Sequence, residues 1–234
     1  LSLSIKADLN LVYDQETIRQ AQKFGIESQK LLKTGWFIRK QFYKKYDLKK
    51  SYQRFEFEKD SLTFLVCGGS QGTNSILKVF PVFLETEKHI QIIVVCGKNK
   101  DLYKAAKSFK ELIEKLNSFI AKNCKMEILN FTDKIPQLMQ ISDMIIGKAG
   151  PNLLFETIAS NKPFFAITHI EGQETGNLEL IQKKKLGFVE EDPIKTRKLL
   201  KKIIKNPNKL KNFKKSIAKE RQSNFASKMK LLEA

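Results

Sequence analysis

Cysteine and histidine are scarce in this chain of 234 residues: there are three cysteines and two histidines. Cys67, Cys96 and Cys124 are odd in number, lie far apart and form no CxxC pair, which argues against a zinc site. Two of them end strand-like runs, where a thiol behaves as a small buried apolar group. No apolar run reaches the roughly 18 residues needed to cross a bilayer, and the first residues lack the charged, apolar and small-residue segments of a signal peptide. The expected location is therefore cytoplasmic. No GK[ST] follows the glycine-rich turn at 68–72, so it is not a P-loop, and the turn lacks the GxGxxG order of a dinucleotide fold. DxD is also absent, as is any His/Asp/Glu group with metal-ligand spacing.

A hydrophobic content of 41% with 29% charged residues is that of an ordinary folded globular protein. Arginine is rare, 5 of the 43 basic residues, yet the formal charge is +18. Residues 182–234 hold 17 Lys and Arg against 5 Asp and Glu, a net of +12. Two readings stay open. Such a face is drawn to nucleic acid or to an anionic membrane surface, at about 1 kcal/mol per basic residue near a membrane; the other reading is a lysine-rich compositional bias. No aromatic-basic motif of the RRM type and no recognisable helix-turn-helix accompanies the lysines, so no nucleic-acid partner is expected.

Residues 9–13 read as a short strand, followed by a helix over about 15–24 that Asp14 is placed to cap. Residues 35–60 are mixed basic and aromatic, lack clean periodicity and read as a connector. From Ser61 the pattern is regular. Strand-like runs occur at LTFLVC, IQIIVVC, KMEILNF, DMIIG and PFFAIT, with helical stretches between them. The clearest helix spans 99–123, where Leu102, Ala106, Phe109, Leu112, Ile113, Leu116 and Ile120 recur at three and four residues. Strands alternating with helices imply βαβ units and a parallel sheet covered on both faces, an α/β Rossmann-like fold. After Pro193 two or three Lys-rich helices follow, interrupted at KNPNK.

In such a sheet the ligand site forms at the carboxyl ends of the strands. The first strand ends in Gly68, Gly69, Ser70, Gln71 and Gly72, which can cradle an anion with backbone N–H groups or can simply make a tight bend. The second ends in CGKNK, without the acid that a nicotinamide-binding fold places there for the ribose. The fourth leads into GKAGPNLLFE, where Gly150 and Pro151 suit a helix start and Glu156 lies one to two turns inside. A carboxylate there can accept two hydrogen bonds from a vicinal diol such as ribose; the alternative is an exposed helix residue. The fifth ends in HIEGQETGN, whose Gln173, Glu174 and Asn177 suit sugar hydroxyls or a solvated, capped loop. Any diphosphate held here would be met by helix termini, hydroxyls and Lys without a dedicated metal.

GGSQG, KAGPNLLFE and EGQETGN, in this order and spacing, resemble the nucleotide-sugar-binding lobe of family 28 glycosyltransferases. That group includes the monogalactosyl- and glucosyl-diacylglycerol synthases and the lipid II N-acetylglucosaminyltransferase. The resemblance covers about residues 30–192, and KAGP with GQExGN looks closest to the diacylglycerol enzymes. It implies the C-terminal lobe of a GT-B glycosyltransferase, with an inverting, metal-independent reaction, no cofactor and a UDP-sugar as donor. Gly69, Ser70 and Gln71 would lie by the diphosphate with Gly150 and Pro151, and Glu156 would hold the ribose. Phe131 and Thr132 would meet the uracil, while Gln173, Glu174 and Asn177 would contact sugar or ribose.

The resemblance also implies domain boundaries. Residues 1–34 would be the end of an N-terminal acceptor lobe that is otherwise missing, and 35–60 the interlobe connector. Residues 61–206 would be the UDP-sugar lobe, and 207–234 basic helices packing back on the N-terminal lobe. The chain begins with Leu and is expected to be a piece of a longer product. The general base is then expected outside it, with the catalytic residues unknown and His169 in an orienting or structural role. The implied partners are a lipid acceptor and peripheral membrane contact. A second reading is a non-catalytic UDP-sugar-binding subunit that needs a separate acceptor-binding partner.

Overall fold

Runs of five or six residues that are mostly apolar on both faces cannot present a polar face to water, so they end up inside a sheet covered on both sides. In the computed structural model, which describes residues 3–117 and 124–232, those runs are β3 (Leu62–Cys67), β4 (Ile90–Val95), β6 (Met144–Lys148) and β7 (Phe164–Thr168), and the edge strand β5 (Cys124–Leu129) alternates buried Cys124, Met126 and Ile128 with half-buried Lys125, Glu127 and Leu129. With β8 (Gly187–Val189) they form a six-stranded parallel sheet in the order β5-β4-β3-β6-β7-β8. A separate parallel pair, β1 (Asn10–Val12) and β2 (Leu31–Lys33), flanks the N-capped α1 (Gln15–Lys23). This Rossmann-like arrangement is the one the alternating pattern implies.

Alternate side chains of the inner strands enter two separate cores. Phe64 and Val66 of β3 join one face with Ile92 and Val94 of β4. α3 (Phe80–Leu84), α4 (Lys100–Asn117) and α8 (Pro193–Lys205) cover that face. Leu65 and Cys67 join the opposite face, under α2 (Leu48–Phe55), α5 (Ile135–Ile141), α6 (Pro151–Ala159) and α7 (Thr175–Lys183). α9 (Lys214–Leu232) crosses α6 and returns to the first strand pair. There Tyr13 donates to Glu220, and Lys184 pairs with both Asp14 at 3.1 Å and Glu220 at 2.9 Å.

Three features differ from the pattern reading. The connector holds α2, capped by Asp47, which accepts from the Lys49 N–H at 3.0 Å. Its apolar positions Leu48, Tyr52 and Phe55 do recur at helical spacing, but only over eight residues set among lysines and aromatics. β8 is a three-residue edge strand, too short to show a period. After GGSQG the chain makes a 3-10 turn over Asn74–Val79, started by the Thr73 hydroxyl accepting from the Ser75 N–H, and only then the one-turn α3. The helix expected over 99–123 is α4 as far as Asn117; its remainder, with Ile120, lies outside the described residues.

Candidate active site

β4 and β5 lie on one side of β3, and β6, β7 and β8 on the other. The strand order reverses between β3 and β6, and at such a switch point the connections diverge and leave a crevice beyond the carboxyl ends. A cleft of about 400 Å³ occupies that position. Its floor includes Cys67 and Val95, the last residues of β3 and β4.

Two turns make one side. Gly69 and Ser70 follow β3, and Gly97 follows β4. Gly97 has φ +61°, and a Cβ on it would sit 2.4 Å from the Ser70 carbonyl oxygen, so only glycine lets the two turns meet. The Lys98 N–H donates to that same carbonyl at 2.9 Å and fixes the contact. Phe131 and Thr132, after β5, form the rim. Phe131 is 59% exposed, an aromatic face left open to a planar partner, with Lys98 Nζ 6.0 Å from its ring centre.

The opposite side is α6. Gly150 is its N-cap and Pro151 its first residue; neither lines the cleft itself, and no side chain caps this end. The positive end of the helix dipole is thus left for an anion, beside Asn152 and Leu153 in the cleft wall. Glu156, one turn further, also faces the cleft and accepts from Arg39 Nε at 3.2 Å and Nη2 at 2.9 Å. Burial disfavours its charge more than Arg39 favours it, so its pKa is raised above 4.5.

The remaining sequence candidates sit differently. Glu174 is buried, pairs with Lys148 Nζ and accepts from the Ile170 N–H at 2.8 Å. Asn177 Nδ2 donates to the Ala149 carbonyl at 2.7 Å. Together these bonds stitch the EGQETGN loop to the KAGP loop, while Gln71 and Gln173 are exposed outside the cleft lining. His169 Nδ1 lies 2.8 Å from Glu191 Oε1 at the end of β7, also outside the lining.

The pattern reading missed the fourth wall, residues 36–39. Trp36 stacks on Phe155 with ring centres 5.2 Å apart and donates from Nε1 to Asn152 Oδ1 at 3.2 Å, while Arg39 reaches Glu156. The available signal was TGWFIR itself, a glycine turn leading into aromatic and basic residues with no core periodicity. Among the described residues no group of three His, Cys, Asp or Glu could hold a metal ion.

Comparison with known proteins places this geometry in a family. The processive diacylglycerol beta-glucosyltransferase of Bacillus licheniformis is 28% identical over 191 residues, covering 82% of this chain and 48% of that protein. Monogalactosyldiacylglycerol synthase 2, chloroplastic, of Arabidopsis thaliana is 26% identical over 197 residues, covering 80% and 39%. This chain thus spans about half or less of these relatives' length. Among solved structures, Anabaena HepE in complex with UDP-glucose superposes with a TM-score of 0.62 at 15% identity, over 97% of this chain and 63% of that one. MurG of Acinetobacter baumannii gives 0.58 at 16%, over 87% and 58%, so the fold is shared with these proteins. Residues 63–232 match the glycosyltransferase family 28 C-terminal domain, and the chain belongs to that family.

Proposed function

We propose that the cleft binds a UDP-sugar and that this chain is the donor-binding part of an inverting, metal-independent glycosyltransferase that passes a hexose to a diacylglycerol-type lipid. The observation that carries this reading is convergence. Gly69 and Ser70, Phe131 and Thr132, and Glu156 come from three separate chain segments and line one cleft at the switch point. The relatives' names, a diacylglycerol glucosyltransferase and a monogalactosyldiacylglycerol synthase, support the lipid acceptor.

In this reading uracil lies on Phe131 beside the backbone of Thr132, and Glu156 takes the ribose hydroxyls. The diphosphate lies between Gly69 and Ser70 and the uncapped start of α6 at Gly150 and Pro151, with Gln71 beside it. Gln173 reads the sugar from a loop that Glu174 and Asn177 hold in place. The acceptor oxygen attacks the anomeric carbon as UDP leaves, and its proton passes to a base on the acceptor-binding lobe. Negative charge then grows on the diphosphate, where preorganised donors at a helix N-terminus stabilise the transition state by several kcal/mol. No cofactor takes part.

A transfer assay tests the reading. Full-length protein mixed with diacylglycerol vesicles and UDP-galactose, UDP-glucose or UDP-N-acetylglucosamine is expected to form a glycosyl-diacylglycerol and release UDP with at least one donor. No product from any of the three would contradict it. Binding of UDP without transfer would leave the binding-subunit reading in its place.

A further inference from the structure

Asn224 of α9 is a buried polar residue, 3% exposed, and it lies 188 residues along the chain from the group it serves. Its Oδ1 accepts from the Trp36 N–H at 2.6 Å, and its Nδ2 donates to the Trp36 carbonyl at 3.1 Å. One carboxamide therefore satisfies both backbone groups of a single residue, as a neighbouring strand would. The approach depends on Gly35, which has φ +69° and whose Cβ would stand 2.3 Å from Asn224 Oδ1. Glycine is needed there twice, for the backbone conformation and for the space. Trp36 in turn opens the wall that runs through Phe37 and Ile38 to Arg39, the partner of Glu156.

We infer that Asn224 is a positioning residue for the donor site: without touching the cleft, it fixes the 36–39 wall and thereby Trp36 on α6 and Arg39 at Glu156. Asn224 is not among the residues that line the cleft. Only an amide meets both needs. Aspartate keeps the acceptor, loses the donor and buries a charge, whereas alanine leaves the Trp36 N–H and carbonyl without their partner. By linkage the coupling runs both ways, so a ligand that needs the wall in place tightens the α9 contact. The inference rests on the UDP-sugar reading of the cleft.

Trp36 is the single tryptophan of these 234 residues, so in this chain its fluorescence reports on the wall. Asn224→Ala and Gly35→Ala break the same contact from its two sides. Each is expected to raise the Kd for UDP about tenfold and to red-shift Trp36 emission in the free protein, while a cooperative thermal transition is retained. A surface variant, Lys219→Ala on the same helix, is expected to leave both readouts at the wild-type value. Hydrogen exchange on the unmodified full-length protein is the companion measurement and does not depend on how the variants fold. Saturating UDP is expected to slow exchange at residues 36–39 and also in α9 around Asn224. Wild-type UDP binding with unchanged affinity in both variants, or with protection confined to the cleft residues, would overturn the positioning role. Failure of the wild-type protein to bind UDP would instead overturn the donor reading.

Discussion

At the scale of single residues, burial decides how the groups in the cleft behave. Glu156 in the cleft, and Asp143 at the far end of the sheet where it accepts from the Thr63 N–H, both have carboxyl pKa values pushed up by burial, against the hydrogen bonds and cations beside them. A carboxyl whose folded pKa is raised binds its proton more tightly in the folded state, so its contribution to stability is lost as pH rises from the ordinary carboxylate value through the folded one. Glu156→Gln removes the cost of the buried charge at neutral pH, and its partner Arg39, with a side chain 60% exposed, returns to water at little cost. The expected result is a melting temperature at pH 7 equal to or above wild type, together with a loss of UDP affinity of tenfold or more; a clear drop in melting temperature would contradict it. The three thiols give a second test at this scale. Burial pushes Cys67 and Cys124 up to about 12 and Cys96 to about 11. Since the thiolate is the reactive form, a maleimide at pH 7 is expected to label none of them until the protein is unfolded, Cys67 on the cleft floor included. Glu156 was legible in the sequence because it follows a glycine turn by a fixed number of helix residues. Arg39 was not, since TGWFIR marks the segment but not its partner, and the contact with Glu156 spans 117 residues.

At the scale of elements, turns and caps place the site. Lys148 ends β6, and Glu174 stands at the start of α7; their pair joins the two loops that close one end of the molecule's switch point. The Glu174 side chain is only 7% exposed, so removing its partner leaves a buried charge uncompensated. Lys148→Met is expected to cost about 3 kcal/mol by chemical denaturation, and the double variant with Glu174→Gln to recover most of that loss. Equal stability of the single variant and wild type would show that the pair does not hold these loops. The strands, α1 with its Asp14 cap and the interrupted basic helices were legible because each rests on a local pattern of apolar spacing and end signals. α2 and β8 were not, at eight and three residues. After GGSQG, Thr73 caps a 3-10 turn, so the helix end left without a side-chain cap beside the cleft belongs to α6. GQETGN has residue types that suit either sugar hydroxyls or a solvated, capped loop; in the fold, Glu174 pairs with Lys148 and Asn177 donates to the Ala149 carbonyl. Composition alone does not distinguish those two uses.

At the scale of the whole molecule, the charge and the fold are separate features. Exposed lysines such as Lys195, Lys198, Lys202 and Lys205 of α8, with Lys211 and Lys215 beyond it, carry much of the net charge of +18. If that charge supports peripheral contact with anionic lipid, the protein is expected to co-sediment with phosphatidylglycerol vesicles but not with phosphatidylcholine vesicles, and to be released as salt screens the surface. Equal binding to both vesicle types would show that the lysines are a bias of composition. The sheet has a separate task, to bring three strand ends and α6 to one cleft, and its order was legible only as far as alternation implies a parallel sheet. The most direct test of the donor site is the thermal transition of the full-length protein with and without UDP, using NAD as the control. A ligand bound only by the folded state raises the melting point in proportion to the logarithm of its concentration over Kd. Millimolar UDP is expected to raise it and NAD to leave it unchanged; no shift with UDP, or an equal shift with NAD, would contradict a UDP-sugar site at this cleft.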